Sequence, residues 1–271
     1  MEIIFIKTEK ALARSNINIA DFVLNPYRGC YFGCLYCYSR ANKNINKIKK
    51  TWGEFVYIKE NFVQILKNEI EKNKNIKRIL IGSTTDPLQY FEEKFKIFEN
   101  IIDILKFYKI PVTILTKSVL IKNFVDKLKY SNNNIIYLTF NSEIVRLLFE
   151  PKSFKMEERI EAMKIIRANN INLIAYISPV FPYLTNESEI LEKLNGIVKN
   201  VYFENYNIKL GNWDEVKTKL DKKLLEVYDK IFFNKAEYEN FWQNFIKSVE
   251  NLNKKFNFNI KFFIYPFNSY Y

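Results

Sequence analysis

Three cysteines, all that the chain has, stand within eight positions of one another: Cys30-Tyr31-Phe32-Gly33-Cys34-Leu35-Tyr36-Cys37. The spacing is C-x3-C-x2-C. Three thiols this close make no disulfide framework, and inert structural cysteines scatter along a chain rather than line up. A tight loop of three thiolates can ligate three irons of a [4Fe–4S] cube, one sulfur to each iron. The fourth iron then has no protein ligand and stays open to the amine and carboxylate of a bound cofactor. Zinc is the competing metal, and its structural sites take four ligands, mostly Cys and His. The chain has no His and no fourth Cys, so a closed zinc site would need a carboxylate or a second chain.

The residues around the thiols suit such a loop. Gly29 and Gly33 allow a tight fold around a bulky group. Tyr36 puts a flat ring beside the metal, either for an adenine to stack on or as an anchor for the loop. Arg is scarce, seven in 271 residues, yet Arg28 and Arg40 flank the loop, where they would neutralise its charge, anchor it, or sit at the surface.

Strand-like and helix-like segments alternate and must position these groups. Apolar runs at 23–29, 78–85, 112–118, 134–142, 172–182 and 201–207 read as strands. Helical stripes at 58–73, 92–108, 121–130, 155–169 and 187–199 lie between them. Six such βα units predict an α/β chain with a parallel sheet, a partial (β/α)6 TIM-type barrel whose chemistry sits at the C-terminal strand ends. Polar residues gather at those ends: Ser83 to Asp86, Thr116 to Ser118, Thr139 to Ser142 and Glu204 to Asn207. Residues 1–210 are expected to form the barrel, and 211–271 an extension packed on it. The extension reads as helices at 214–231 and 236–253 and a strand at 258–267 that joins an edge or closes the barrel. In the second helix Tyr238, Phe241, Trp242, Phe245, Val249 and Leu252 fall at helical spacing, a packing stripe.

The motif C-x3-C-x-aromatic-C resembles the radical S-adenosylmethionine (SAM) superfamily. Asn25-Pro26-Tyr27-Arg28-Gly29-Cys30, with Gly33-Cys34-Leu35-Tyr36-Cys37-Tyr38-Ser39-Arg40, is similar to its spore photoproduct lyase-like branch. So are Gly82-Ser83-Thr84-Thr85-Asp86-Pro87, Thr116-Lys117-Ser118, Glu150-Pro151 with Arg159, and Pro179 with Pro182. The resemblance implies one [4Fe–4S] cluster on Cys30, Cys34 and Cys37, SAM as second cofactor, and a low-potential electron donor of flavodoxin or ferredoxin type. It implies SAM contacts from Tyr36, Gly82, Ser83, Thr84 and Thr85, with Asp86 on the SAM ammonium or capping a helix. It puts Lys117 and Ser118 near the SAM carboxylate, Thr139 and Asn141 near the ribose, and Arg159 on the carboxylate or on Glu150. The family's loop often carries a His where this chain has Tyr31-Phe32. Photoproduct lyase also uses a further Cys, assisted by tyrosines, to return hydrogen to the product radical. With no fourth Cys here, the candidate donors are Tyr90, Tyr176, Tyr183 and Tyr206.

The formal net charge of +12 and pI near 9.3 suit a nucleic acid partner, although Lys, Asn and Ile are abundant enough for a general composition bias. No secretory leader or membrane span is legible, so a cytoplasmic, monomeric enzyme is expected. The stretch 41–50, ANKNINKIKK, reads as an exposed basic loop. The expected reaction is reductive cleavage of SAM to a 5′-deoxyadenosyl radical that abstracts hydrogen from a substrate, a nucleotide or nucleic acid lesion being one class. The rival reading is a non-enzymatic, basic nucleic-acid-binding module with a structural metal in the Cys loop.

Overall fold

The computed structural model describes residues 1–42, 45, 47–73 and 75–269, so residues 43, 44 and 46 of the basic stretch lie outside the described residues. The strands are β1 (Glu2–Ile6), β2 (Leu12–Arg14), β3 (Phe22–Leu24), β4 (Tyr27–Arg28), β5 (Phe55–Lys59), β6 (Ile79–Ile81), β7 (Val112–Thr116), β8 (Ile135–Phe140), β9 (Asn172–Val180), β10 (Asn200–Asn205) and β11 (Asn259–Phe263). One sheet runs β11-β10-β9-β8-β7-β6-β3-β2, parallel except for the β2–β3 pair. It is an open, partial barrel, with β2 and β11 as its edges. The last strand therefore extends the array instead of closing it: Asn200 to Glu204 pair in parallel with Asn259 to Phe263. A smaller sheet, β1-β5-β4, lies beside the cysteine loop.

The main helices are α1 (Phe62–Lys72), α2 (Ile97–Phe107), α3 (Glu143–Phe149), α4 (Met156–Ala168), α5 (Glu187–Leu194), α6 (Lys222–Phe233) and α7 (Lys235–Phe256). Alternation along the strands sends one set of side chains into the helix-packed core, among them Ile79, Ile81, Val112, Ile114, Ile136, Leu138, Ala175, Ile177, Val201 and Phe203. The other set, including Tyr137, Thr139, Tyr176, Ser178, Tyr202 and Glu204, lines the barrel's inner face. In α7, Tyr238, Trp242, Phe245 and Val249 are buried, so the aromatic stripe is core. No helix among the described residues is long and apolar enough to cross a membrane.

Several elements differ from the sequence reading. The stripe at 58–73 is two elements, because Ile58 pairs with Phe5 on one side and Tyr27 on the other, which fixes 55–59 as a strand before α1. The helix expected at 92–108 breaks at Lys96, whose φ of +52° reverses the chain between a turn at Glu92–Phe95 and α2. The segment 121–130 forms a 3-10 turn and one α turn. The strand expected at 23–29 divides into β3 and β4, which join different sheets. The helix expected at 214–231 becomes a short turn at Trp213–Val216, then α6, where the Asp221 side chain accepts from Leu224 N–H at 2.8 Å.

Candidate active site

β4 hands the chain directly to Gly29 and the cysteine loop. Gly33 adopts φ +62° and lies face to face with Gly53, so close that a Cβ built on Gly53 would sit 2.8 Å from the Gly33 Cα. Only two glycines permit that approach. Behind the loop, Thr85 Oγ1 donates to the Gly29 carbonyl at 2.6 Å, and the fully buried Gln89 accepts from Tyr31 N–H at 2.6 Å. Gln89 also donates to Thr85 Oγ1 and the Asp86 carbonyl, at 3.2 and 3.1 Å. On the other side Leu35 N–H donates to the Phe149 carbonyl at 2.9 Å.

The thiols lie together: Cys30 and Cys34 are buried and Cys37 packs against them, with Tyr31, Tyr36, Trp52 and Phe154 around them. The Asp86 backbone at Cys30, the Lys117 side chain at Cys34 and Ser39 at Cys37 each favour the thiolate form. Burial pushes all three thiols up, Cys34 to about 11. Thiols that resist ionisation when empty ionise once a metal supplies positive charge. Among the described residues no three His, Cys, Asp or Glu side chains converge on a single-ion site. A four-iron cube asks for something else, one thiolate per iron, and this all-sulfur set, with a thiolate-favouring group near each sulfur, fits it.

Beneath the loop lies a buried ion network. Glu150, 1% exposed, receives Arg159 Nη2 at 2.5 Å, Lys117 Nζ at 3.2 Å and the Tyr36 hydroxyl. Burial opposes the Glu150 charge, but Arg159 and Lys117 outweigh it and hold the carboxyl well below its usual range. Lys117 also donates to Tyr36 Oη at 2.9 Å and sits 5.1 Å from that ring's centre. Arg159 is committed further, donating to the Thr139 and Phe154 carbonyls at 3.0 and 3.1 Å and to Ser153. Of the two roles open to Arg159, the structure displays the salt bridge to Glu150. Tyr36 likewise displays the anchoring role, its ring 5.5 Å from Phe181.

The strand ends are closely tied. Gly82 has φ +94°, and a Cβ there would lie 2.3 Å from the Leu115 carbonyl oxygen, so the glycine serves the approach of β6 to β7. Asn25 bridges the following residues, donating to Ser83 Oγ at 2.9 Å and accepting from Thr84 N–H at 3.0 Å. The Tyr38 hydroxyl donates to the Ser83 carbonyl. Asp86 accepts from Thr116 Oγ1, Lys117 N–H and Leu88 N–H at 2.7, 2.8 and 2.9 Å, which staples β6 to β7. Burial raises its carboxyl. Ser118 Oγ caps the next turn by accepting from Leu120 N–H. Asn141 donates to the Pro179 carbonyl at 2.6 Å and accepts from Thr185 at 2.9 Å, joining β8 to the chain after β9. Thr139 is 8% exposed on the inner face.

The family profile of the radical SAM superfamily matches residues 24–194, which span the cysteine loop, the ion network and the strand ends. The chain belongs to the radical SAM superfamily. An uncharacterised protein of Methanocaldococcus jannaschii is 33% identical over 252 residues, 92% of this chain and 94% of that one. Another from Mycobacterium bovis is 24% identical over 65% of this chain and 54% of its own. Among solved structures, spore photoproduct lyase with bound AdoMet and dinucleoside spore photoproduct superposes with a TM-score of 0.68 at 12% identity, over 97% of this chain and 82% of that one. Streptococcus suis SuiB bound to its precursor peptide gives 0.56 at 15% identity, over 97% and 48%. The chain is an enzyme of this superfamily with the partial-barrel fold.

In this radical SAM barrel the inner face carries an aromatic array that sequence reading did not assemble. Thr139, Tyr176, Tyr202 and Lys261 are register partners across β8 to β11. The Tyr137 ring lies 5.7 Å from Tyr176 and 5.9 Å from Tyr202, and Phe263 completes the group. Glu204 accepts from Ser178 and Tyr265, and burial together with that nearby carboxylate holds Tyr176 protonated. The other candidate tyrosines lie elsewhere. Tyr206 is 1% exposed, donates to the Gly211 carbonyl at 2.7 Å and stacks on Phe181. Tyr183 is 71% exposed beside Phe241. Tyr90 is half exposed, with its ring 4.5 Å from Tyr31 of the cysteine loop. Period-2 alternation around Tyr137, Tyr176 and Tyr202 was the signal for the array. Gln89 carried no such signal.

Proposed function

We propose that Cys30, Cys34 and Cys37 hold a [4Fe–4S] cluster with one iron open to SAM, and that the substrate lies on the inner face beside Tyr137, Tyr176 and Tyr202. Bound there, the cluster supplies the single electron that splits SAM into methionine and a 5′-deoxyadenosyl radical, which takes hydrogen from the substrate. The observation that carries this reading is the packing of all three cysteines of the C-x3-C-x2-C loop into one group. The loop's ties to Thr85, Gln89 and Phe149 keep the sulfurs in place. Lys117 and Arg159 together outweigh Glu150 and leave a rigid floor with a surplus positive charge. Ser83, Thr84 and Thr85, with Gly82 and Asp86, form the edge along which we place the methionyl end of SAM. Thr139 and Asn141 stand at the ribose end, and Lys117 and Ser118 between them. Residues 1–210 carry this chemistry, with 211–271 supporting it.

A nucleotide is the substrate class we favour. Aromatic faces stack bases regardless of sequence, the chain is basic, and the similar lyase binds a dinucleoside photoproduct. With every cysteine assigned to the cluster, Tyr176 is the hydroxyl best placed to meet a substrate radical.

The test is anaerobic reconstitution with iron and sulfide, reduction with dithionite, and assay for 5′-deoxyadenosine, with Cys34→Ala as control. A brown protein with about four irons per chain and product that vanishes in Cys34→Ala is expected. A colourless zinc protein without turnover would overturn the reading and leave the binding module in its place. Stimulation by oligonucleotides then tests the substrate class.

A further inference from the structure

At the mouth end of the inner face stands one carboxylate, Glu204, with no part in holding the cluster or SAM. It is the inward residue of β10 two positions beyond Tyr202, level with Phe263 on β11. Its two oxygens are held by different elements. Oε1 accepts from the Tyr265 hydroxyl, and Oε2 from the Ser178 hydroxyl on β9. Tyr265 is itself fixed: its N–H donates to Asn205 Oδ1 at 2.9 Å and its carbonyl accepts from the Tyr238 hydroxyl at 2.7 Å. Glu204 is half-buried and forms no ion pair among the described residues.

Such an arrangement is a receptor for paired donors. A carboxylate has about four acceptor positions and no donor. The two hydroxyls take one position on each oxygen, so each oxygen can accept again. A staple between two hydroxyls needs no charge, because a neutral amide oxygen accepts them as well. A half-buried anion without a cation is costly, and a ligand bringing two adjacent N–H groups removes that cost. The rings beside Glu204 suit a flat ligand. Phe263 lies 6.3 Å from Tyr176 and 5.9 Å from Tyr202, edge-on to both. Tyr176 is close enough to Glu204 for the carboxylate to help keep its hydroxyl protonated. A flat ring laid on Tyr176 therefore has Glu204 at its edge.

We propose that Glu204 reads the base of the substrate and selects guanine, whose N1–H and exocyclic N2 amine present two parallel donors to the two carboxylate oxygens. The inference rests on the nucleotide reading above and deepens it. Adenine and cytosine each present one donor beside a ring-nitrogen acceptor. Thymine and uracil present one N–H between two carbonyls. In each of these a carboxylate oxygen faces an acceptor, and that repulsion discriminates against the base. A two-pronged contact to the right base is worth about tenfold to a hundredfold in discrimination. The stacking rings hold any base, and the carboxylate at their edge chooses among them.

The test measures binding, which needs no turnover, to the reconstituted full chain with SAM present. The probes are labelled single-stranded oligothymidylates with one central guanine, hypoxanthine, adenine or cytosine, and their ribose counterparts, read by fluorescence anisotropy. Hypoxanthine keeps N1–H and lacks the N2 amine. The parent should bind the guanine probe at least about tenfold more tightly than the hypoxanthine probe, and the sugar series that binds tells DNA from RNA. In Glu204→Gln the amide puts a donor where an acceptor stood. The guanine preference should then shrink to within about twofold, and adenine, with a donor beside an acceptor, should gain. Equal binding of the guanine and hypoxanthine probes by the parent would overturn the proposal with no variant needed. So would a uniform loss across all probes in Glu204→Gln, the result a mere staple between β9 and β10 would give. Binding of an arginine-rich peptide but of no oligonucleotide would assign the fork to a guanidinium instead. A parent that binds no oligonucleotide sinks the nucleotide reading, and one that forms no 5′-deoxyadenosine with dithionite sinks the cluster reading. Indifference to guanine in a chain that binds oligonucleotides and cleaves SAM defeats this inference alone.

Discussion

Glu150→Gln tests the ion network that supports the cysteine loop. The substitution keeps the side chain's size and its ability to accept hydrogen bonds, and removes one charge. Arg159 is 1% exposed and the Lys117 side chain 14%, so neither cation gains water when its partner is neutralised. Removing one member of a buried ion pair costs about 3–5 kcal/mol, because the charge left behind remains desolvated. For a chain of this size each kcal/mol moves the melting temperature by about 2–4 °C, so a fall of about 10 °C is expected. The assay is thermal unfolding of the iron-free chain at neutral pH by circular dichroism, extended to a cycle with Arg159→Met. The single variants should each lose several kcal/mol and the double variant clearly less than their sum, since it removes both charges together.

The pH dependence has a definite sign. Burial opposes ionisation of Glu150, and Arg159 and Lys117 more than offset it, so the folded carboxyl lies below its unfolded value. Such a group contributes stability above its unfolded value and loses it only as pH falls through the folded one. The gap between parent and Glu150→Gln should therefore be flat from about pH 5 to about pH 8. A variant that melts within about 2 °C of the parent, or a double variant equal to the sum of the singles, would refute the account of Glu150 as the hub.

Gly82→Ala should lower the urea midpoint by the equivalent of about 2 kcal/mol or more, since φ is +94° and the new Cβ would meet the Leu115 oxygen at 2.3 Å; an unchanged midpoint would mean β6 and β7 need not approach so closely. Glu92, buried and bonded to the Tyr27 hydroxyl at 2.6 Å, has its carboxyl raised by burial to about 7. A raised carboxyl contributes stability below its unfolded value and loses it as pH climbs through the folded one. Against Glu92→Gln, the parent should thus lose up to about 3 kcal/mol between about pH 4.5 and about pH 8, and parallel stability curves would contradict this. Tyr206→Phe should cost about 1 kcal/mol for its hydrogen bond to Gly211 and leave 5′-deoxyadenosine formation intact; a tenfold fall in that rate would put Tyr206 in the chemistry.

What sequence revealed of this site, and what it hid, follows from the range of the forces involved. The cysteine loop was legible because its ligands are neighbours in the chain. The βα alternation was legible because each strand carries its own periodicity, and the open barrel follows from it. The places where one element ends and the next begins were not, because Ile58 is fixed in a strand by Phe5 and Tyr27, far away in sequence. Arg159 is an intermediate case. It stands three residues after Met156, four before Met163 and seven before Ile166, all buried in α4, so its place on the apolar stripe already pointed inward. An arginine there needs a buried anion, and Glu150 supplies it. Asp86 and Gln89 gave no such hint, since loop residues carry no period from which to infer a facing direction.

Lys117 joins these layers. Arg159 is sealed in the network, whereas Lys117 retains some exposure, bonds to Glu150 and Tyr36, and favours the Cys34 thiolate. Three thiolates would add negative charge to a pocket that already contains Asp86 and Glu150. Like charges in a medium of low dielectric repel strongly, so each added anion requires a nearby cation. The acid-free stretch from 22 to 53 meets that requirement from the chain around the sulfurs, and Lys117 meets it from beneath.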